Sequence, residues 1–127
     1  MAKKIFTYRG KTIEELKQMS VSAFKDLLPA SLRRSLSRGF TEPQEAFLKR
    51  LETGKDRIKT HVRDIPVLPT MVGKTIGIHN GKEFVFIMIT EEMLGHRLGE
   101  LTYNRRRIQH SAPGIGATRS TGSVSVK

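Results

Sequence analysis

Asn80-Gly81 stands between two short runs of alternating apolar residues, and this dipeptide narrows the fold of the chain more than any single property of its composition. Asn-Gly supplies the two positive-φ residues of a type I′ turn, whose twist matches that of the strands it joins. The expected hairpin runs from Thr75 to His79, with Ile76 and Ile78 on one face, into Lys82 to Ile89. In the second strand Phe84, Phe86 and Met88 alternate with Glu83, Val85, Ile87 and Ile89. Both of its faces are largely apolar, which predicts a strand buried between a helix and a loop. On that reading Phe86→Ala is a core truncation costing about 3 to 5 kcal/mol.

The surroundings add a further strand. Thr60 to Ile65 has strand composition, and Pro66 and Pro69 bracket an irregular turn. Thr90 is placed to cap a helix with Glu91 and Glu92 in its first turn, where the helix dipole favours negative charge. Met93 and Leu94 then face the sheet, and Gly95 ends the helix. Upstream the pattern is helical. Thr12 with Glu15 forms a capping box before the stripe Ile13, Leu16 and Met19. Ser20 caps a second helix carrying Val21, Phe24, Leu27 and Leu28, stopped at Pro29. A third, Ala30 to Arg38, places Leu32 and Leu36 one turn apart and closes at Gly39, leaving Arg33, Arg34 and Arg38 on its other face. Thr41 with Gln44, and Pro43 in the first turn, open a fourth helix bearing Phe47, Leu48 and Leu51 and ending at Gly54. Lys49, Arg50, Lys55, Arg57 and Lys59 follow its stripe into the centre. Helices this short are marginal in isolation and need a surface to dock on.

Charge divides the chain differently. Residues 1–60 hold 14 basic and 7 acidic side chains, residues 61–100 hold 4 and 5, and residues 101–127 hold 5 and 0. The net charge of +11 therefore lies on two flanks of a nearly neutral centre. This predicts a basic helical N-terminal extension over 1–59, an α+β core over 60–100 and a basic extended tail over 101–127. The core is expected to be a small mixed three-stranded sheet with packed short helices. The tail, with Pro113-Gly114-Ile115-Gly116, has the composition of a segment that orders on a partner. A polyanion is the partner such flanks require.

Other classes find little support. A chain of 127 residues buries only about two thirds of its unfolded surface, which argues against a deep substrate cleft. The paired carboxylates Glu14-Glu15 and Glu91-Glu92 are explained by their first-turn positions, so no catalytic constellation, enzyme activity or cofactor is expected. Without cysteine there is neither a disulfide framework nor a thiolate metal site. His61, His79, His96 and His110 lie 18, 17 and 14 residues apart, too dispersed to read as a metal site. His61, His79 and His96 read instead as amphipathic residues at the edge of the sheet, able to stack on bases or donate to phosphate. Gly114 to Thr118 has neither a preceding strand nor a following Gly-Lys-Ser/Thr, and so reads as backbone free to approach a phosphate chain. The longest apolar run, Phe84 to Ile89, is six residues against the roughly 20 that span a bilayer. With no apolar stretch behind the basic start, the expectation is a soluble intracellular protein that engages no membrane.

The candidate contacts from charge alone are Arg33, Arg34, Arg38, Arg63, Lys74, Lys82, Arg97, Arg105, Arg106, Arg107 and Arg119. Guanidinium forks pair with phosphates and stack on bases, which suits a folded RNA. An aromatic content of 6% argues against a single-strand stacking platform. A free-standing chromatin or regulatory nucleic-acid-binding protein is the alternative that the same charge allows.

Three stretches add a resemblance: Ile65-Pro-Val-Leu-Pro-Thr-Met-Val-Gly73, Ile78-His-Asn-Gly-Lys82 and Ile89-Thr-Glu-Glu-Met-Leu-Gly-His-Arg-Leu-Gly-Glu100. With Phe6-Thr-Tyr-Arg-Gly10, Leu27-Leu-Pro-Ala30, Arg33-Arg-Ser-Leu-Ser-Arg-Gly39 and His110-Ser-Ala-Pro-Gly-Ile-Gly-Ala-Thr118, the chain resembles the small-subunit ribosomal protein nineteen family in its archaeal and eukaryotic branch. The resemblance implies a structural protein of the small-subunit head bound to the 3′ domain of the small-subunit rRNA. It implies small-subunit protein thirteen as a neighbour, and a position near the A-site tRNA and the intersubunit bridge, with the C-terminal tail reaching towards the decoding region and there the A-site tRNA. Implied RNA contacts are Arg63, Lys74, His79, Asn80, Gly81, Lys82, His96 and Arg97, with Gly95 and Gly99 permitting close backbone approach. Thr70 and Ser111 depart from the family pattern and take no role.

Overall fold

The computed structural model describes residues 5–54, 57–109 and 112–123, so that Lys55, His110, Ser111 and the last four residues of the tail lie outside the described residues. A two-stranded hairpin comes first, β1 (Thr7–Tyr8) paired antiparallel with β2 (Lys11–Thr12). Its two-residue loop holds Arg9 at φ 52° and Gly10 at φ 79°, so the paired positive φ angles of a type I′ turn occur here. They do not occur at Asn80-Gly81.

Four helices follow: α1 (Ile13–Gln18), α2 (Val21–Lys25), α3 (Ala30–Ser37) and α4 (Glu42–Glu52). Their starts are set by short polar contacts. Thr12 N–H donates to Glu15 Oε2 at 2.9 Å while Thr12 Oγ1 accepts from Glu15 N–H at 3.5 Å, and Ser20 Oγ accepts from Ala23 N–H at 3.3 Å. At α4, Thr41 N–H donates to Gln44 Oε1 at 3.1 Å, and the other end of that amide donates to Asp64 Oδ2 at 2.7 Å. One buried glutamine thus fixes the helix start and ties it to the loop that follows Thr60.

The second sheet is mixed, as expected. Its order is β3 (Ile58–Thr60), β4 (Thr75–His79), β5 (Phe84–Met88), with β3 parallel and β5 antiparallel to the central β4. The expected strand at Thr60 to Ile65 is displaced towards the N-terminus. The segment after Thr60 leaves the ladder to pair with residues 96–99. Gly99 N–H donates to Arg63 O at 2.8 Å, Leu98 N–H to Ile65 O at 3.1 Å and Val67 N–H to His96 O at 2.8 Å. The expected helix after Thr90 is a single 3₁₀ turn, Glu91–Met93, and a second follows at Leu98–Leu101.

Register sorts the sheet into two faces. Ile58, Thr60, Ile76 and Ile78 are buried and join Leu16, Phe24, Leu28, Leu32, Phe47 and Leu51 of the helices, with Ile65, Val67, Met71, Ile89, Leu94 and Leu98, in one core. The helices therefore dock on the same face of the sheet. Nothing among the described residues covers the other face, where Phe86 is 44% and Met88 62% exposed. This corrects the expectation of a strand buried on both sides. Phe86 nevertheless has a local partner. It lies across the sheet from Gly77, where a methyl group would stand 2.8 Å from its ring. Phe86→Ala should cost about 1 kcal/mol, the scale of a cross-strand contact and not of a core truncation. Urea unfolding checks this, and a loss of 3 kcal/mol would place the ring in the core.

Candidate nucleic-acid interface

The hairpin between β4 and β5 closes through a four-residue loop, Asn80 to Glu83, because the side chain of Asn80 supplies the turn. Its Oδ1 accepts from Lys82 N–H and from Glu83 N–H, both at 2.9 Å, while Asn80 N–H donates to Glu83 O at 3.0 Å. Gly81, at φ 104°, is the sole residue of the loop with positive φ. His79 Nδ1 accepts from Gly81 N–H at 3.1 Å, which leaves Lys82 exposed at the tip.

Arg63 is directed inwards. Its Nη1 donates to His79 O and to Thr102 Oγ1, and its Nη2 to Gly99 O at 2.8 Å, Thr102 O at 3.2 Å and Asn104 Oδ1 at 2.8 Å. One guanidinium therefore clamps the base of the hairpin to the segment that leads into the tail. Gly99 makes room for it, since a methyl group there would stand 2.9 Å from Arg63 O. Gly95 likewise faces the Tyr8 hydroxyl at 2.5 Å from a methyl position. The close approach that both glycines permit is made by the chain itself. Arg63→Ala should cost about 2 to 3 kcal/mol through the partly buried carbonyls of His79, Gly99 and Thr102 that it leaves without this donor. Arg63→Lys should lose nearly as much in the same unfolding experiment, because an ammonium does not span the five acceptors on the two segments.

Lys74 also has an internal partner. Its Nζ donates to Leu51 O at 2.8 Å, on a carbonyl of the last turn of α4. Arg97 reaches Asp64 O at 3.3 Å and Ser35 Oγ at 3.4 Å, which sets it beside α3. Arg33, Arg34 and Arg38 stand exposed on that helix, while His96 pairs with Glu100 at 2.7 Å on the surface. Arg105, Arg107 and Arg119 are exposed, and Arg106 pairs with Glu83 of the hairpin loop at 2.7 Å.

Two groups result. One comprises the α3 arginines with Arg97. The other joins the hairpin tip to Arg105, Arg106 and Arg107, brought alongside by the Arg63 clamp and the Arg106–Glu83 pair. Arg119 belongs to neither. Among the described residues Arg106 is the one lysine or arginine paired with a carboxylate, so the basic excess is not neutralised internally. Sequence reasoning gave Lys59 and Phe84 no part in the site and His61 only a general capacity to stack, yet His61 and Phe84 adjoin His79 and Lys59 adjoins Phe84. The His61 and His79 ring centroids are 4.4 Å apart, and Lys59 Nζ lies 5.3 Å from the centre of Phe84. The parallel pairing of β3 with β4 creates this proximity, and no local pattern reports it.

A small α+β core with exposed arginines on one helix and around one hairpin has the kind of surface that suits a polyanion. A family described as Ribosomal protein S19 matches residues 34–110. The chain is 46% identical over 122 residues to the small ribosomal subunit protein uS19 of Methanococcoides burtonii, an overlap spanning 96% of this chain and 89% of that protein. It belongs to the ribosomal protein S19 family, and is a structural, non-enzymatic ribosomal protein.

Proposed function

We infer that the chain is a structural constituent of the small ribosomal subunit, associated there with the small-subunit rRNA in the cytoplasm. The observation that carries this reading is family membership over nearly the whole chain, on a surface where, among the described residues, Arg106 alone of the lysines and arginines has a carboxylate partner. In detail, the protein binds the 3′ domain of the rRNA in the subunit head. It packs beside small-subunit protein thirteen, near the A-site tRNA and the intersubunit bridge, and its basic tail points towards that tRNA. The core over 60–100 wedges between RNA helices while the flanks over 1–59 and 101–127 neutralise phosphates.

Direct contacts fall to Arg33, Arg34, Arg38, His79, Gly81, Lys82, His96, Arg97, Arg105, Arg106, Arg107 and Arg119. Arg63, Lys74 and Asn80 act by holding the hairpin, the end of α4 and the tail where RNA meets them. Sedimentation of a cell lysate through sucrose tests the assignment: the protein should travel with the small subunit. Recovery at the top of the gradient, or equal binding to duplex DNA in competition, would favour a free-standing nucleic-acid-binding protein instead.

Changing Arg105, Arg106 and Arg107 together to alanine should weaken RNA association and lower the salt slope by about 2 to 3, roughly one for each lost phosphate contact. Thermal unfolding should hardly move, because the Arg106–Glu83 pair is exposed and such pairs contribute little. A large fall in melting temperature would instead make these arginines part of the fold.

A further inference from the structure

The uncovered face of the three-stranded sheet carries a row of rings that runs from the residue just after β3 across β4 to β5. His61 follows Thr60, which pairs with Ile78, so it falls beside His79, and His79 pairs with Phe84. The two imidazoles lie 4.4 Å apart at 35°, and Phe84 stands edge-on to both, 4.8 Å from His79 and 5.0 Å from His61. Lys59 places its ammonium over Phe84. One row further along, Phe86 covers Gly77 and presents its ring to solvent. The residues that alternate onto this face include no carboxylate, and the acid nearest the hairpin end, Glu83, is engaged by Arg106.

A low aromatic content says nothing of where the rings gather, and here they gather beside cations. A sheet face of this kind matches the two needs of unpaired nucleic acid, π-faces for bases and positive charge for the phosphates between them. The arginine-bearing segment held against the hairpin by Arg106 extends the same charge from the edge of the face. We propose that this face is a stacking platform for unpaired nucleobases of RNA, with Phe86 and His61 offering ring surfaces and Lys59 a cation for adjoining phosphates. The proposal rests on the RNA-binding reading above and assigns bases, beyond the phosphate backbone, to a defined surface.

The chain has no tryptophan, so Phe86→Trp in the full-length protein introduces a single indole reporter at the platform. Single-stranded oligoadenylate should quench its fluorescence, and an RNA duplex of equal length should not. Phe86→Leu keeps Gly77 covered but removes the ring. It should lower affinity for the single strand about 5- to 100-fold, the range for one lost base stack, with duplex affinity and salt slope unchanged. His61→Ala should act in the same direction. Wild-type affinity of Phe86→Leu for the single strand, alongside a steep salt dependence, would overturn the platform while leaving RNA binding intact. That result would mark the face as an apolar protein contact. Equal losses on both RNAs would also overturn it. A wild-type chain that bound neither RNA would remove the underlying reading together with the platform.

Discussion

Phe47→Ala should destabilise the chain by about 3 to 5 kcal/mol, the full cost of removing a core phenylalanine. Phe47 lies on α4, is 0% exposed, and belongs to the same buried cluster as Ile58, Ile76 and Ile78 of the sheet. Its ring therefore joins the basic helical segment to the sheet, and no rearrangement of α4 alone fills the space it leaves. A domain of this size holds only about 5 to 15 kcal/mol in total, so one substitution removes a large share of it. Because the cluster is continuous from Leu16 to Leu98, the loss should appear in one cooperative urea transition followed by far-ultraviolet circular dichroism. A separate early transition, with the sheet unfolding at its wild-type midpoint, would show that residues 1–59 dock on the sheet as an independent layer. A loss below about 1 kcal/mol would contradict the burial itself.

What the chain discloses by inspection is what its neighbours in sequence decide. The start of α1 is legible because Thr12 and Glu15 satisfy each other across three residues, and that of α4 because Thr41 and Gln44 make the same kind of contact. The hairpin at Asn80 is legible too, but not its turn. An amide that accepts from two backbone N–H groups at once removes the need for a second positive φ. The exposure of Phe86 is hidden because a strand apolar on both faces does not say which face the helices cover. Arg63 is hidden for a different reason. Counting charges sends every guanidinium to solvent, while the acceptors that turn this one inwards are at His79, Gly99, Thr102 and Asn104, distant in sequence. Gly95 and Gly99 show the same limit, since sequence identifies them as places of close approach without identifying Tyr8 and Arg63 as the neighbours.

Raising monovalent salt from about 50 to 200 mM should lower affinity for a folded fragment of small-subunit RNA by about 10² to 10⁴, a log–log slope of about −4 to −7. The slope follows from roughly six to eight phosphates neutralised, each releasing condensed counterions on binding. The surface meets that requirement without drawing on the cations already engaged elsewhere. Arg63 and Lys74 donate to the chain's own carbonyls, while Arg33, Arg34, Arg38, Lys82, Arg105, Arg107 and Arg119 are exposed with no carboxylate partner among the described residues. The charge split sharpens the expectation, because a centre at −1 contributes little to the slope and flanks at +7 and +5 contribute most of it. Replacing exposed flank arginines should make the slope shallower step by step, whereas Arg63→Lys should alter stability and leave the slope close to that of the wild type. A complex whose affinity hardly changes over this salt range would mean that the basic excess is a solvated surface, and RNA contact would then have to come from the sheet face and hairpin alone.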